Sequence, residues 1–261
     1  MVIGNSRAQN SLFVPYIDSL QLPAMAQMSY NAMPAELVEL FAKDYIDRYP
    51  ECKRIFIECS FLLNPGLNFT YLSQYRPYVA SSARLDSVFS HWDHADRQLA
   101  HLFNFYQLNS ELSLRAVNYL HQSDEYWINK GVIRQEQIDF FASWPDTALT
   151  IQPQALHHLE NLLRYCDDRE IEPILFWAPY LPAYAQKMQN LDAIIDELGN
   201  HLHLPVHNYS RLLQQNHFFA DRVHLNIKGA KALIRKMNAD GLFTASSSID
   251  TNRLNNHVGE L

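Results

Sequence analysis

The first sixty residues alternate short apolar segments with amphipathic ones, and this alternation limits the choice of fold more than any other feature of the sequence. Residues 1–3, 24–30 and 54–59 are predicted strands, and the third is rich in β-branched and aromatic side chains. Residues 34–46 begin with a proline suited to a first helical turn and then place apolar side chains at helical spacing. Strands separated by helices are typical of a parallel sheet with helices packed over its faces.

The same alternation resumes in the second half of the chain. Residues 153–166 predict an amphipathic helix, residues 173–179 a buried strand and residues 202–206 a short fifth strand. Residues 182–198 predict one further helix, which Gly199 is expected to end. Five strands with intervening helices predict an α/β fold, a three-layer, doubly wound parallel sheet.

Residues 61–150 interrupt this pattern with polar and aromatic helical segments, among them residues 97–108 and 110–121. Because the α/β pattern resumes afterwards, we interpret the interruption as a largely helical insertion into one domain that spans residues 1–243. The insertion is expected to overhang the functional site. Residues 244–261 are rich in serine and asparagine and predict a loosely ordered tail.

Composition excludes several classes of function. The formal net charge of −7 argues against a nucleic-acid partner, which favours a basic surface. The seven glycines form neither of the Gly-rich loops that cradle nucleotide phosphates. The three cysteines contain no Cys-x-x-Cys pair, so neither a disulfide framework nor a zinc knuckle is predicted. We therefore predict no cofactor.

His91, Asp93, His94 and His101 are the candidates for a metal site, since two histidines three residues apart with a nearby carboxylate can share one helix face. The chain has twelve histidines, and such spacings then arise easily by coincidence. We predict no metal site.

No stretch approaches the ~20 apolar residues of a membrane-spanning helix. Only three residues precede the first motif, whereas a central strand usually has about five or six. We expect a native N-terminal segment upstream of the numbered chain, either a membrane anchor or an export signal.

Two short motifs carry the candidate chemistry. Gly4-Asn5-Ser6-Arg7 follows the first strand, and Asp221 and His224 follow the fifth, just before a final helix that Asn226 is expected to cap. A serine hydroxyl is a poor nucleophile unless a neighbouring base takes its proton. Histidine is the usual base, and a carboxylate holds its ring in the right tautomer. Since the ends of parallel strands meet at one edge of a sheet, Ser6, His224 and Asp221 predict a catalytic triad.

These motifs resemble the SGNH/GDSL hydrolase superfamily. The resemblance rests on Gly4-Asn5-Ser6, the five-strand pattern, Asp221-Arg-Val-His224-Leu-Asn and the Gly229-Ala230 pair, and it leaves out the insertion and the tail. Within the superfamily the chain is most similar to bacterial proteins related to cell-surface polysaccharide O-acetylesterases and O-acetyltransferases. The resemblance implies a flavodoxin-like SGNH fold with Ser6 as nucleophile, His224 as base and Asp221 as the group that orients His224.

The resemblance also implies an oxyanion hole made by the backbone N–H of Ser6, a glycine after the second strand and an asparagine after the third. This chain has no glycine in the second loop and lacks the usual Gly-x-Asn-Asp after the third strand. Asn31 and Asn64 are the candidate donors in those two places. Arg7 is either a residue that meets an anionic or sugar substrate or a packing arginine. Trp177, at the end of the fourth strand, is either a core residue or a platform for a sugar ring.

The resulting expectation is a serine esterase that removes small acyl groups, above all acetyl, from a carbohydrate or related ester. One alternative is an O-acyltransferase of envelope polysaccharide with the same triad. Another is a catalytically inactive carbohydrate-binding scaffold, motivated by the departures in the oxyanion loops. The resemblance and the expected upstream segment favour the bacterial cell envelope, periplasmic or surface, with the cytoplasm as the alternative.

Overall fold

A parallel sheet of five strands organises the protein in a computed structural model that describes residues 1–64, 66, 75, 82–92 and 128–244. Every pair of neighbouring strands is parallel, and the order across the sheet is β2-β1-β3-β4-β5. This is the strand order of flavodoxin-like sheets, in which the order reverses between β1 and β3. The strands are β1 (Val2–Gly4), β2 (Gln27–Ser29), β3 (Arg54–Glu58), β4 (Glu172–Trp177) and β5 (Val206–Asn208).

Helices connect the strands, as crossovers between parallel strands require. Two 3₁₀ turns, Cys59–Leu63 and Asn216–Phe218, follow β3 and β5. In the described ranges the α-helices are α1 (Ser6–Ser11), α2 (Val14–Ser19), α3 (Ala35–Arg48), α4 (Ala83–Trp92), α5 (Gln135–Ala142), α6 (Pro153–Asp167), α7 (Pro182–Ala185), α8 (Leu191–Leu202) and α9 (Ile227–Ala239). The predicted α/β class and the five parallel strands are confirmed.

The sheet separates two apolar cores because successive side chains of a strand point to opposite faces. Ile57 and Leu175 face a core that contains the buried sides of α3, α6 and α8. Phe56 and Phe176, one residue away on each strand, face a second core that contains those of α1 and α9. Burial on both faces explains why β3 and β4 read as nearly continuous apolar runs.

Two of the predicted boundaries are wrong. Gly199 lies inside α8, which continues to Leu202 and ends at His203 with a left-handed backbone (φ 51°). The fifth strand is predicted over residues 202–206, but because the helix continues it starts only at Val206. A side chain at Gly199 would have its Cβ 3.3 Å from the Leu204 carbonyl oxygen. The glycine therefore permits close packing of the chain against the helix and does not end the helix.

The single helix predicted over residues 182–198 is interrupted between Ala185 and Leu191. The Asn190 side chain accepts a hydrogen bond from the Leu149 N–H at 2.7 Å and donates one to the Leu149 carbonyl at 2.9 Å. The Thr147 N–H donates to the Lys187 carbonyl at 2.7 Å. The Gln189 N–H in turn donates to the Thr147 carbonyl at 3.1 Å. Backbone groups of Lys187 and Gln189 are thus used by a distant segment, which a continuous helix would not allow.

The described parts of the predicted insertion return to the sheet beside the candidate site. The Asn10 side chain accepts a hydrogen bond from the Asn129 N–H at 3.2 Å, and the Ile227 N–H donates to the Asn129 carbonyl at 2.8 Å. The helical segments predicted at residues 97–108 and 110–121 lie outside the described residues, as does the predicted tail from residue 245 onward.

Among the helices of the described ranges, none is both long enough and apolar enough to cross a lipid bilayer.

Candidate active site

Ser6 is the first residue of α1 and follows β1 after a tight turn. Gly4 has a φ of +149°, and a Cβ at this position would lie 2.9 Å from the Cβ of Ala8, so the turn requires glycine. Asn5 caps the helix, and its Oδ1 accepts a hydrogen bond from the Arg7 N–H at 2.8 Å. The turn and the cap together present the Ser6 side chain at the carboxyl end of β1.

Asp221 and His224 lie in the loop before α9, and backbone hydrogen bonds shape this loop. Asp221 Oδ1 accepts from the N–H groups of Val223 at 2.8 Å and His224 at 2.9 Å. Asn226 then caps α9, as predicted, by accepting from the Lys228 N–H at 3.0 Å. Its Nδ2 also donates to the carbonyls of His217 and Gly131, at 2.8 and 3.1 Å. The loop is thus held from both sides.

The fold brings the two motifs into hydrogen-bond contact although 218 positions separate them in the sequence. The Ser6 Oγ lies 2.7 Å from His224 Nε2, and His224 Nδ1 lies 2.7 Å from Asp221 Oδ2. A carboxylate only accepts hydrogen bonds, so the proton of the neutral ring resides on Nδ1 and leaves Nε2 free to accept the serine proton. This is the arrangement that activates a serine nucleophile.

The Asp221 carboxylate stays ionised in this setting. Burial on its own would raise the pKa of Asp221, but the hydrogen bond and charge of His224 and the two backbone N–H groups outweigh it. The pKa therefore lies below its ordinary value. An ionised carboxylate stabilises the imidazolium that forms when His224 takes a proton.

Ser6 and His224 open into a cavity of about 550 Å³ at the carboxyl edge of the sheet. Asn31 and Asn64, the predicted oxyanion donors, both line it, with Asn31 exposed and Asn64 half-buried. Beside Asn31, Ala32 adopts a left-handed backbone (φ 51°), a conformation that favours glycine. The structure thus brings the loops after β2 and β3 to the same cavity as the nucleophile.

Arg7 lines the cavity wall, but its guanidinium is buried and engaged by the protein. It lies over the Tyr180 ring at 3.5 Å, pairs with Glu58 and donates to the carbonyls of Ala178 and Pro179. Only 4% of the residue is exposed. Of the two interpretations of Arg7 from the sequence, a packing arginine describes these contacts, and direct binding of substrate does not.

Sequence reasoning missed Glu58 and Ser60 as parts of the site. Glu58, at the end of β3, is fully buried and accepts hydrogen bonds from the Ser60 hydroxyl at 2.6 Å and the Ala178 N–H at 3.2 Å. Ser60 lines the cavity. The available signal was a carboxylate that ends an otherwise apolar strand, because a buried charge needs a partner.

The other candidate residues lie apart from the cavity or outside the described chain. Trp177 is fully buried and donates to the Tyr180 hydroxyl at 3.3 Å, so it is a core residue and not a sugar platform. Of the metal candidates, Asp93, His94 and His101 lie outside the described residues, and for His91 only the backbone is described. In the part of the chain that the structure describes, no three metal-ligating side chains cluster.

The cysteines are free thiols in this structure. Burial raises the pKa of Cys166 to about 12 and that of Cys59 well above its usual range. Thiols with such pKa values are protonated at physiological pH and are not nucleophiles. Neither of these two thiols is therefore a candidate nucleophile.

Comparison of the sequence with models of known protein families finds no family that matches, and comparison with curated proteins finds no related sequence.

Proposed function

We propose that the protein is a serine esterase of the SGNH type, with a doubly wound sheet, that removes small acyl groups from a carbohydrate or related ester. The observation that carries the proposal is the unbroken chain of contacts from the Ser6 hydroxyl through His224 to Asp221, with 2.7 Å at each step. Three side chains in this order, at the carboxyl ends of parallel strands, have the geometry of an acyl-transfer site.

In the first half-reaction His224 Nε2 takes the proton of the Ser6 hydroxyl as its Oγ attacks the ester carbonyl carbon. The carbonyl π electrons move to the oxygen and give a tetrahedral oxyanion. When the intermediate collapses, the bond to the sugar oxygen breaks, and His224 returns its proton to that oxygen. The products are a free sugar hydroxyl and an acyl group on Ser6.

In the second half-reaction water takes the place of the sugar. His224 removes a proton from the water, whose oxygen attacks the acyl carbon, and then returns the proton to Ser6 Oγ as the carboxylic acid leaves. Asp221 orients the ring in both halves and stabilises its charged form. His224 returns each proton that it takes, so the proton transfers require no cofactor.

The oxyanion needs donors at the position where its charge develops. The Ser6 N–H belongs to the first turn of α1, and N–H groups of a first turn have no acceptor within their own helix. The neighbouring Arg7 N–H is used by the Asn5 cap. We assign the Ser6 N–H as one donor and the Asn31 and Asn64 loops as the source of a second.

The lining of the cavity supports a neutral, hydroxyl-rich substrate. Among the described residues, its polar groups are amides, hydroxyls, phenols, the His224 imidazole and the guanidinium of Arg7, which is buried beside Glu58; neither a lysine nor a carboxylate lines it. The half-buried ring of Tyr184 adds flat apolar surface of the kind that packs against sugars. The volume lies in the usual range of small-molecule sites and exceeds what an acetyl group alone would fill.

The test is the hydrolysis of a short-chain aryl ester such as p-nitrophenyl acetate by the wild type and by Ser6→Ala and His224→Ala. We expect turnover by the wild type and a loss on the order of 10⁶-fold for each variant. Ser19→Ala and His201→Ala, two exposed positions away from the cavity, are matched controls that should keep wild-type rates. Equal rates in wild type and both site variants would overturn the proposal.

The size of the cavity also favours a second candidate, transfer of the acyl group to a sugar hydroxyl, because an acceptor could occupy the space that the leaving sugar vacates. Adding an oligosaccharide to the acyl ester distinguishes the two reactions. An esterase releases free acid at an unchanged rate, whereas a transferase forms an acylated oligosaccharide. Glycan binding without either reaction would identify an inactive scaffold.

A further inference from the structure

A buried ion pair lies behind the nucleophile. Arg7, the residue after Ser6, places its Nε 3.5 Å from Glu58 Oε1, and their side chains are 5% and 0% exposed. Burying two charges is costly, and an apolar pair of the same size often serves stability equally well. The position of this pair beneath the site therefore suggests a role other than stability.

The contacts of Arg7 reach across the sheet. Its Nη2 donates to the carbonyls of Ala178 and, at 3.3 Å, Pro179, which directly follow β4. The Tyr180 ring covers the guanidinium. The Nε and Nη1 atoms are buried and have no hydrogen-bond acceptor among the described residues, and the contacts that the guanidinium makes there are all with the protein.

The contacts of Glu58 complete the connection. One carboxylate oxygen accepts from the Ser60 N–H at 3.2 Å and the Ser60 hydroxyl at 2.6 Å, and the other accepts from the Ala178 N–H at 3.2 Å. Ser60 Oγ in turn accepts from Asn5 Nδ2 at 3.3 Å, and Asn5 caps the helix that begins with Ser6. The pair thus joins the ends of β3 and β4 to the first turn of α1.

We propose that Arg7 and Glu58 are positioning residues that hold Ser6 in reach of His224 by fixing these three chain segments to one another. The inference rests on the proposed function, since it concerns the activity of Ser6. Neither side chain has a hydrogen bond to Ser6 or His224, so both act through the backbone. A displacement of about 1 Å at a reacting group can lower the rate by about 10²-fold.

The test separates positioning from stability by removing the charges singly and together. Arg7→Met and Glu58→Gln each leave one buried charge unpaired and should lower the midpoint of urea unfolding. The double variant removes both charges and should recover most of that midpoint. Because the links to the Ala178 and Pro179 carbonyls remain lost, its kcat on p-nitrophenyl acetate should stay about 10²-fold low while KM is unchanged.

A matched control comes from the opposite ends of the same two strands. Arg54 and Glu172 are register partners on β3 and β4, with Arg54 Nε donating to Glu172 Oε2 at 2.7 Å. The double variant Arg54→Met/Glu172→Gln should change the unfolding midpoint without changing kcat. A fall in kcat equal to that of the Arg7/Glu58 variant would show that the loss of any ion pair at an end of these strands has the effect, and would overturn a specific positioning role.

The remaining outcomes are distinct. If the wild type hydrolyses the ester and the folded Arg7→Met/Glu58→Gln variant has the same kcat, this inference alone is overturned. A wild type without hydrolysis overturns the proposed function and this inference with it. If the double variant does not fold, Arg7→Lys decides, because lysine keeps the charge beside Glu58 but lacks the planar fork that reaches both carbonyls. Wild-type kcat in Arg7→Lys would then contradict the inference.

Discussion

Ser6 and His224 come from surroundings of opposite character. The two neighbours of Ser6 in the sequence, Asn5 and Arg7, are both buried, and Arg7 forms a buried ion pair with Glu58. On the other side, the side chains of His224 and Asp221 are 21% and 40% exposed and are held mainly by hydrogen bonds within their own loop. The nucleophile is fixed by long-range burial, and the base by local hydrogen bonding.

This difference matches what each half must do. The serine hydroxyl is neutral before attack and needs only a fixed position. The imidazole changes its charge during the reaction, and a charged ring is easier to accommodate where water and a carboxylate are near.

Asp221→Asn should lower kcat on the order of 10⁴-fold, because an amide in place of the carboxylate favours the wrong tautomer of His224. Steady-state hydrolysis of p-nitrophenyl acetate measures the effect. Asp192→Asn is the control, since the Asp192 carboxylate also accepts side-chain hydrogen bonds, from Asn208 and Arg211, but lies away from the cavity. A kcat within a few-fold of wild type for Asp221→Asn would show that the base half works without its carboxylate.

Gly229→Ala should destabilise the base half by about 3 kcal/mol, since an added methyl group in a packed site forces the backbone to move. The new Cβ, in the first turn of α9 and close to the loop that contains Asp221 and His224, would lie 2.2 Å from the Phe218 carbonyl oxygen. Urea unfolding measures the loss. Gly131→Ala, where nothing lies within 4 Å of the added Cβ, should leave the free energy of unfolding nearly unchanged.

The two asparagine caps offer a direct comparison between the halves. Asn5→Ala should cost about 1 kcal/mol, the usual value for a lost helix cap, since its additional hydrogen bond to Ser60 Oγ is long at 3.3 Å. Asn226→Ala should cost about 2 kcal/mol, because it also removes the donor to the His217 and Gly131 carbonyls. Urea unfolding of both variants at one pH gives the ranking. A larger loss for Asn5→Ala would mean that the nucleophile half depends more on its cap than on burial.

The smallest effect concerns pH. The pKa of Asp221 lies below its ordinary value of 3.8, so its ionised form is favoured by folding. The stability that Asp221 provides is therefore present above about pH 3.8 and is lost as the pH falls through the lower, folded-state pKa. The difference in unfolding free energy between wild type and Asp221→Asn should shrink on acidification from pH 6 to pH 3. A difference that grows over this range would contradict the assigned contacts.

Much of the framework could be predicted because its signals are local. The apolar runs of β3 and β4, the amphipathic pattern of α6 and the cap at Asn226 each depend on residues close in sequence. The contact between Ser6 and His224 was expected on topology, since both follow strands at one edge of a parallel sheet.

The errors and omissions depend on contacts between distant residues. The break between α7 and α8 involves Asn190 and Leu149, 41 positions apart, and nothing in the local sequence marks it. The end of α8 at His203 uses a left-handed backbone without glycine, so the pattern led to Gly199 instead. The pairing of Arg7 with Glu58 joins the first turn of α1 to the end of β3, and this contact appears only once the sheet is assembled.

The central claim is that His224 activates Ser6, and covalent labelling by a fluorophosphonate tests it most directly. Mass spectrometry of the digested protein should find the probe on the peptide that contains Ser6 in the wild type, with little or no label there in His224→Ala. Labelling of Ser6 at the same rate without His224, or no labelling of the wild type, would contradict the account.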